Sequence, residues 1–156
     1  MILLRFIIDN APYLAAGALL TLLSSFGQTF FISIFAGEIR AAFDLSHGAW
    51  GGIYTLGTTA SAVAMVWAGG LTDRYRARVL GSAVLGLLAV ACVFLVANPY
   101  AALLPLAVFL LRFAGQGMVN HIAVVAMTRW FVASRGKALS VARLGFSLGE
   151  AVLPLI

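Results

Sequence analysis

GGLTDRYRAR, Gly69 to Arg78, joins two long apolar stretches and carries one acid, Asp73, with three arginines, Arg74, Arg76 and Arg78. A charged turn this short, between two runs long enough to cross a bilayer, belongs at a membrane surface. Arginine-rich short loops mark the cytoplasmic side. One stretch therefore predicts both the class of the chain and its orientation.

Composition points the same way. Of 156 residues, 63% are hydrophobic and 10% charged, and the mean hydropathy is +1.06. Soluble domains carry about 25% charged residues, so this chain has too few polar groups to cover a water-facing surface. The net charge of +5 raises nucleic acid as a partner, but the basic residues sit in short loops and two helix interiors and form no basic face. No nucleic-acid role is expected. The lone cysteine, Cys92, lies in an apolar run without a disulfide or metal-spaced partner; it reads as a small packing residue. No cofactor or metal is expected. Near the start, Arg5 and Asp9 precede an apolar stretch from Ala11 to Ala36. It is longer than the core of a signal peptide, about 7 to 15 residues, and is read as a retained span.

About 20 apolar residues cross the hydrocarbon core as a helix. The sequence predicts five such helices, at about 12–36, 49–70, 77–97, 101–130 and 137–156. Pro12 suits a helix start, and Asn98-Pro99 signals a tight turn. The connecting segments alternate in character. Gly37–His47 holds Glu38, Asp44 and one arginine; Asn98–Tyr100 is uncharged; the second and fourth loops carry Arg74, Arg76, Arg78, Arg129, Arg135 and Lys137. The bias places the basic loops and the N-terminus in the cytoplasm, in a multi-pass protein of a cell inner membrane. Pairs of small residues four apart (Gly48/Gly52, Gly57/Ser61, Ser82/Gly86, Gly145/Gly149) predict faces on which helix backbones approach closely. Trp50, Trp67 and Trp130 fall near span ends, as interfacial anchors do.

With these residues in place, the chain resembles the major facilitator superfamily. Gly69, Leu71, Asp73 and Arg74, followed by Arg78, match the family's loop signature between its second and third spans. RFAGQG, Arg112–Gly117, resembles its fourth-helix motif, and RWFVASRGKALSVA, Arg129–Ala142, resembles carboxylate-transporting branches. The resemblance implies an all-α membrane protein: five transmembrane helices of a partial major facilitator fold, the incomplete first half of twelve, with the missing C-terminal half as intramolecular partner. It further implies that Asp73 latches a cytoplasmic gate against that second half, and that Arg74 and Arg78 hold the acid and touch anionic lipid. The match has departures. Arg76 stands where the family has glycine, which predicts a differently shaped turn; Ala77 stands where it has a basic residue. Helix five lacks a Gly-Pro pair and delays its proline to Pro154.

Four ionisable groups fall at membrane depth: Arg112, His121, Arg143 and Glu150. An intramembrane charge is a functional hypothesis by default. Arg112, near the midplane, is the candidate contact for an anionic substrate, because a guanidinium matches a carboxylate with two parallel donors; a structural pair with Glu150 is the competing reading. Glu150 and His121, at similar depth if helices four and five form a hairpin, are a candidate proton site. Arg143 can snorkel to the surface. Gln28, Tyr54 and Asn120 are polar groups that could line a cavity. No Ser/His/Asp set, metal spacing or phosphate loop is present, so no enzyme is expected. The expected function is secondary active transport of a small solute, with an organic anion favoured. The alternatives are a non-transporting truncated remnant or interaction subunit, and a small dimeric multidrug carrier, which the absence of an acid within helix one disfavours.

Overall fold

A computed structural model describes residues 2–155, all of them helix or short connection with no strand. A short helix α1 (Ile2–Asp9) leads into α2 (Ala11–Leu23), a 3-10 turn (Ser24–Gly27), α3 (Thr29–Ile34) and α4 (Ala36–Ala42). Then come α5 (His47–Ala68), the short α6 (Leu71–Arg74) and α7 (Ala77–Ala97). The fourth rod is composite: α8 (Leu104–Leu111), a π-helical segment (Arg112–Val119) and α9 (Asn120–Trp130). The last is α10 (Arg135–Val152).

Four segments are long and apolar enough to cross a membrane by themselves: Ala11–Ile34, Ala77–Ala97, Ala101–Trp130 and Val132–Leu155. The other expected span, α5, has the length, at 22 residues, but is diluted by glycine, threonine and serine. It is laid along the fourth rod in parallel. Gly57 sits over Pro105 and Val108, Met65 over Gly117, and Gly69 beside His121. Rods one and five are likewise parallel, Gly17 lying by Ala142, Ala18 by Gly145 and Ser25 by Gly149. Rod one is antiparallel to rod four, with Gly17 against Met127 and Gly27 against Gly115. This up-down alternation gathers the Asp73 turn and the Trp130–Arg135 turn at one end of the bundle, here the basic end. The N-terminal segment joins them, since the Phe6 ring packs edge-on to Phe131 at 5.6 Å and Lys137 lies 6.0 Å over Phe6.

The first rod is not the continuous helix expected over 12–36. It breaks at Gln28, whose backbone is extended (φ −82°, ψ 155°). Ser24 and Ser25 are fully buried, and the Ser24 hydroxyl donates to the Thr21 carbonyl at 2.7 Å. Such local side-chain bonds compete with the helix ladder. Gly27 then presses on rod four so closely that a Cβ on it would lie 2.7 Å from the Gly115 Cα. The first loop also differs from expectation, because part of it, Ala36–Ala42, is helical. Rod five ends its α-helix at Val152, where Pro154 can supply no backbone donor; the expected last residue, Ile156, lies outside the described residues. Arg76 needs no left-handed geometry. It is extended (φ −65°, ψ 136°), so the turn accepts arginine without strain.

Two of the small-residue pairs are packing faces and two are not. Gly145 and Gly149 receive rod one so closely that a Cβ on Gly145 would lie 1.9 Å from the Ala18 carbonyl oxygen. Gly57 and Ser61 are buried. A Cβ on Gly52 or Gly86 would meet nothing within 4 Å, one on Gly48 only the Ser46 hydroxyl of its own N-cap at 3.9 Å, and Ser82 is exposed; both pairs lie on outward faces. Replacing Gly145 by valine should therefore cost at least about 1–3 kcal/mol through overpacking, whereas Gly86→Ala should be neutral or slightly stabilising. Thermal unfolding of the two variants in the same detergent checks the contrast; equal melting temperatures would dissolve the assigned interface.

Candidate substrate site and gate

The break in rod one turns Thr29, itself exposed, toward Arg112 on rod four, and three side chains converge there. Arg112 Nη1 donates to Thr29 Oγ1 at 2.9 Å and lies 3.5 Å from the Gly27 carbonyl oxygen. Tyr54 donates its phenol proton to the same Thr29 Oγ1 at 3.1 Å, and the guanidinium carbon lies 5.6 Å from the Tyr54 ring centre, within cation–π range. Beside them is a hollow of about 140 Å³ lined by Thr29, Ile32, Ser33, Trp50, Gly51 and Tyr54. Trp50 keeps its expected place near a span end, in the first turn of α5. Its ring is 6.1 Å from that of Tyr54 and walls the hollow.

Arg112 is 7% exposed, and among the described residues no carboxylate pairs with it. Its Nε is buried without a hydrogen-bond partner. The Arg112–Glu150 pair weighed in the sequence is not formed. Because α10 turns Gly145 and Gly149 toward rod one, Glu150 is carried to an exposed face. The same rotation separates Glu150 from His121. The His121 ring instead approaches Thr72 Oγ1, 3.5 Å from Nε2, near the basic end. The candidate proton pair is therefore not assembled. Gln28 stands at the helix break, half-buried, next to Thr29. Asn120 begins α9, at the far end of the π-helical segment from Arg112. Arg143 is exposed.

Sequence reasoning missed Thr29 and Thr58. A threonine in an apolar span normally bonds back to its own helix, and nothing local marked the backbone break that frees Thr29. Thr58 follows Tyr54 by one helical turn, and its Oγ1 is buried without a partner. The π-helical segment was missed too. Single π-turns often accompany functional sites, and this one begins at Arg112.

At the basic end, Asp73 is held by neither Arg74 nor Arg78. Its Oδ1 accepts from Arg129 Nη2, and Arg129 Nη1 also donates to the Thr72 carbonyl at 2.6 Å. Arg129 therefore ties α6 to the end of α9. The side chains of Arg129 and Asp73 are 51% and 71% exposed, so the pair adds about 0–1 kcal/mol to stability; its effect is to fix position. Gly69 and Leu71 set the approach to this turn. Gly69 has room for little, a Cβ there lying 3.2 Å from the Met65 carbonyl oxygen and 3.7 Å from His121 Nε2.

These observations define an all-helical, multi-pass membrane bundle with a buried, unneutralised cation near its middle. The sequence profile of the Major Facilitator Superfamily matches residues 17–156, and the chain belongs to that family. Searches of curated proteins and of solved structures gave no match. Proteins of this family are transporters, so transport across a membrane is the function at the level the family defines.

A buried guanidinium kept for stability would have a carboxylate beside it. Exchanging Arg112 for methionine should accordingly leave the melting temperature unchanged or raise it, since well-packed apolar groups often replace buried charge at no loss. A drop equivalent to about 3 kcal/mol or more, the cost of breaking a structural buried pair, would mark Arg112 as a strut.

Proposed function

We propose that the chain is the first helix bundle of a secondary carrier that moves a small organic anion by alternating access, with Arg112 as the anion contact. The observation that carries this is the 93% burial implied by Arg112's 7% exposure, combined with the absence of any carboxylate partner among the described residues. A cation at membrane depth costs roughly 2.5–3.5 kcal/mol on insertion scales. An incoming carboxylate would neutralise it and accept from Nε and a free Nη in parallel. Tyr54, Thr29 and Thr58 supply the neighbouring polar contacts, and Trp50 a flat apolar wall. Gln28 stands close to the same hollow, while Asn120 lies further along the rod. No group arrangement suited to bond-making chemistry accompanies the site, which favours a carrier over an enzyme.

The basic end is the proposed cytoplasmic gate, in an inner membrane with the N-terminus inside, on the strength of its arginine content. Asp73, presented by Arg129, would contact a second helix bundle when that side is closed, and Gly69, Leu71, Arg74 and Arg78 shape the turn that carries it. Alternating access then consists of rocking the two bundles about the central site.

Reconstituted protein should take up a carboxylate substrate with Arg112→Ala lowering the rate about ten- to a hundredfold, the worth of a charge-assisted hydrogen bond to a buried group. Wild-type-like flux by this variant would remove the assignment; hydrolysis or group transfer in place of flux would remove the carrier reading altogether. Asp73→Asn should leave folding intact but increase labelling of cysteines introduced at the basic end. Identical labelling in variant and parent would count against the gate.

A further inference from the structure

A larger cavity, of about 510 Å³, lies at the end of the bundle opposite the basic turns, between α3, α4 and the last turns of α7. That size suits a drug-sized molecule. α3 is the wall between this cavity and the hollow beside Arg112: Thr29 and Ser33 line the hollow, Phe31 and Phe35 the cavity, and Ile32 both. One side of the cavity is aromatic. Phe26, Phe31 and Phe35 form a chain of edge-on rings, with successive centres 5.0 and 5.2 Å apart. Cys92 and Leu95 supply the α7 side. Two polar side chains complete the lining, and they differ in availability. Asn98 is buried, and its amide is taken up by Tyr100, donating to the carbonyl at 2.9 Å and accepting from the backbone N–H at 3.1 Å. Glu38 is exposed and has no ion pair among the described residues. It is also the one charged group among the described residues that line the cavity.

We propose that this cavity binds a lipophilic organic cation, its charge held by Glu38 and its apolar body laid between the phenylalanine rings and α7. Each part of the lining selects against another kind of occupant. A carboxylate and aromatic rings both attract positive charge, so an anion of the same shape is disfavoured. An alkyl tail would make no use of Glu38, and a small hydrated cation no use of the rings. The connections at this end have the matching sign: Gly37–His47 carries Glu38 and Asp44 against Arg40, and Asn98–Tyr100 carries no charge. The preference is therefore opposite to that of Arg112, on the other side of α3. The cation is held at the flank of the bundle, and the inference does not depend on what the hollow beside Arg112 binds.

The test is equilibrium dialysis of the purified chain in a neutral detergent against tetraphenylphosphonium, with binding to protein-free micelles subtracted. Tetraphenylborate, of the same shape and opposite charge, is the second arm. Cys92, the chain's only cysteine, reports the place: its labelling by N-ethylmaleimide, followed by mass spectrometry, should slow as the cation saturates. Saturable binding is expected for tetraphenylphosphonium, weaker by about fivefold in Glu38→Gln, as for one opposite-charge contact open to water. Phe31→Leu, which keeps an apolar side chain but removes a ring, should weaken it about threefold. Leu95→Trp, which fills the cavity without altering charge, should weaken it as well. Asp44→Asn removes an acid outside the cavity, at a left-handed position (φ 49°) that asparagine tolerates, and should bind as the parent does. Equal weakening by Asp44→Asn would mean diffuse surface charge and overturn the site. Cys92 protection by tetraphenylborate at the same affinity would mean a merely greasy groove. Absence of saturable cation binding, undiminished binding by Glu38→Gln or Leu95→Trp, or a bound cation that leaves Cys92 labelling unchanged would overturn the site too. Circular dichroism of each variant verifies that the bundle is intact before its affinity is compared.

Discussion

The backbone contact between Gly27 and Gly115 holds the central site together. Each glycine leaves room for the other, the Cβ of either falling under 3 Å from the partner's backbone. Rod one cannot keep a regular helix through that contact. It tightens into a 3-10 turn, opens at Gln28 and restarts with Thr29 turned toward Arg112. The same contact sits within the π-helical segment of rod four, whose extra residue per turn displaces the face that carries Arg112. Two irregularities in facing helices thus share one cause, and both flank the buried guanidinium. In lipid, irregular backbone at membrane depth survives only where protein or a polar cavity covers it, and here each irregularity covers the other.

The fold was legible to the degree that it depends on length, apolarity and loop charge. Those features place the rods within a few residues of their observed limits and bring the basic turns to one end. What escaped is set by tertiary contact. Gly145/Gly149 and Ser82/Gly86 have the same spacing, yet one pair meets Ala18 and Ser25 while the other faces outward; spacing reports that an approach is permitted, and only the neighbour decides whether it happens. The Gln28 break and the π-helical segment were invisible for the same reason. Arg129 illustrates a further limit. As one basic residue among several near a loop, it gave no sign of reaching Asp73, because 56 residues of chain separate them and the pairing exists only once rods two and four lie parallel.

Within the candidate site, Arg112 stands out in the sequence because a charge in an apolar run is conspicuous, and the Tyr54 ring lies beside it. Glu150 and His121 were paired by counting residues from the helix turn, which estimates depth but not azimuth. Depth alone would bring them level. The glycine face of α10 rotates Glu150 outward by packing against rod one, and His121 is taken up by Thr72. A helix has two coordinates, and the sequence gives the one along the axis far better than the one around it.

The charges are distributed against what stability would choose. The pairs that are formed, Arg129 with Asp73 and Arg5 with Asp9, are largely solvent-exposed, where pairing contributes little. The cation that is buried, Arg112, has no carboxylate beside it among the described residues, and an uncompensated buried charge is costly. A threonine hydroxyl, a carbonyl oxygen at 3.5 Å and a tyrosine face are its compensation, and these orient a guanidinium without neutralising it. A neutralised arginine would have no reason to attract an anion; an unoriented one could not discriminate among them. Partial compensation satisfies both demands, since it keeps the charge available while fixing the direction of its free donors. On the proposed reading, the cost retained at Arg112 belongs to a binding site, and an anion from solution would supply the missing partner.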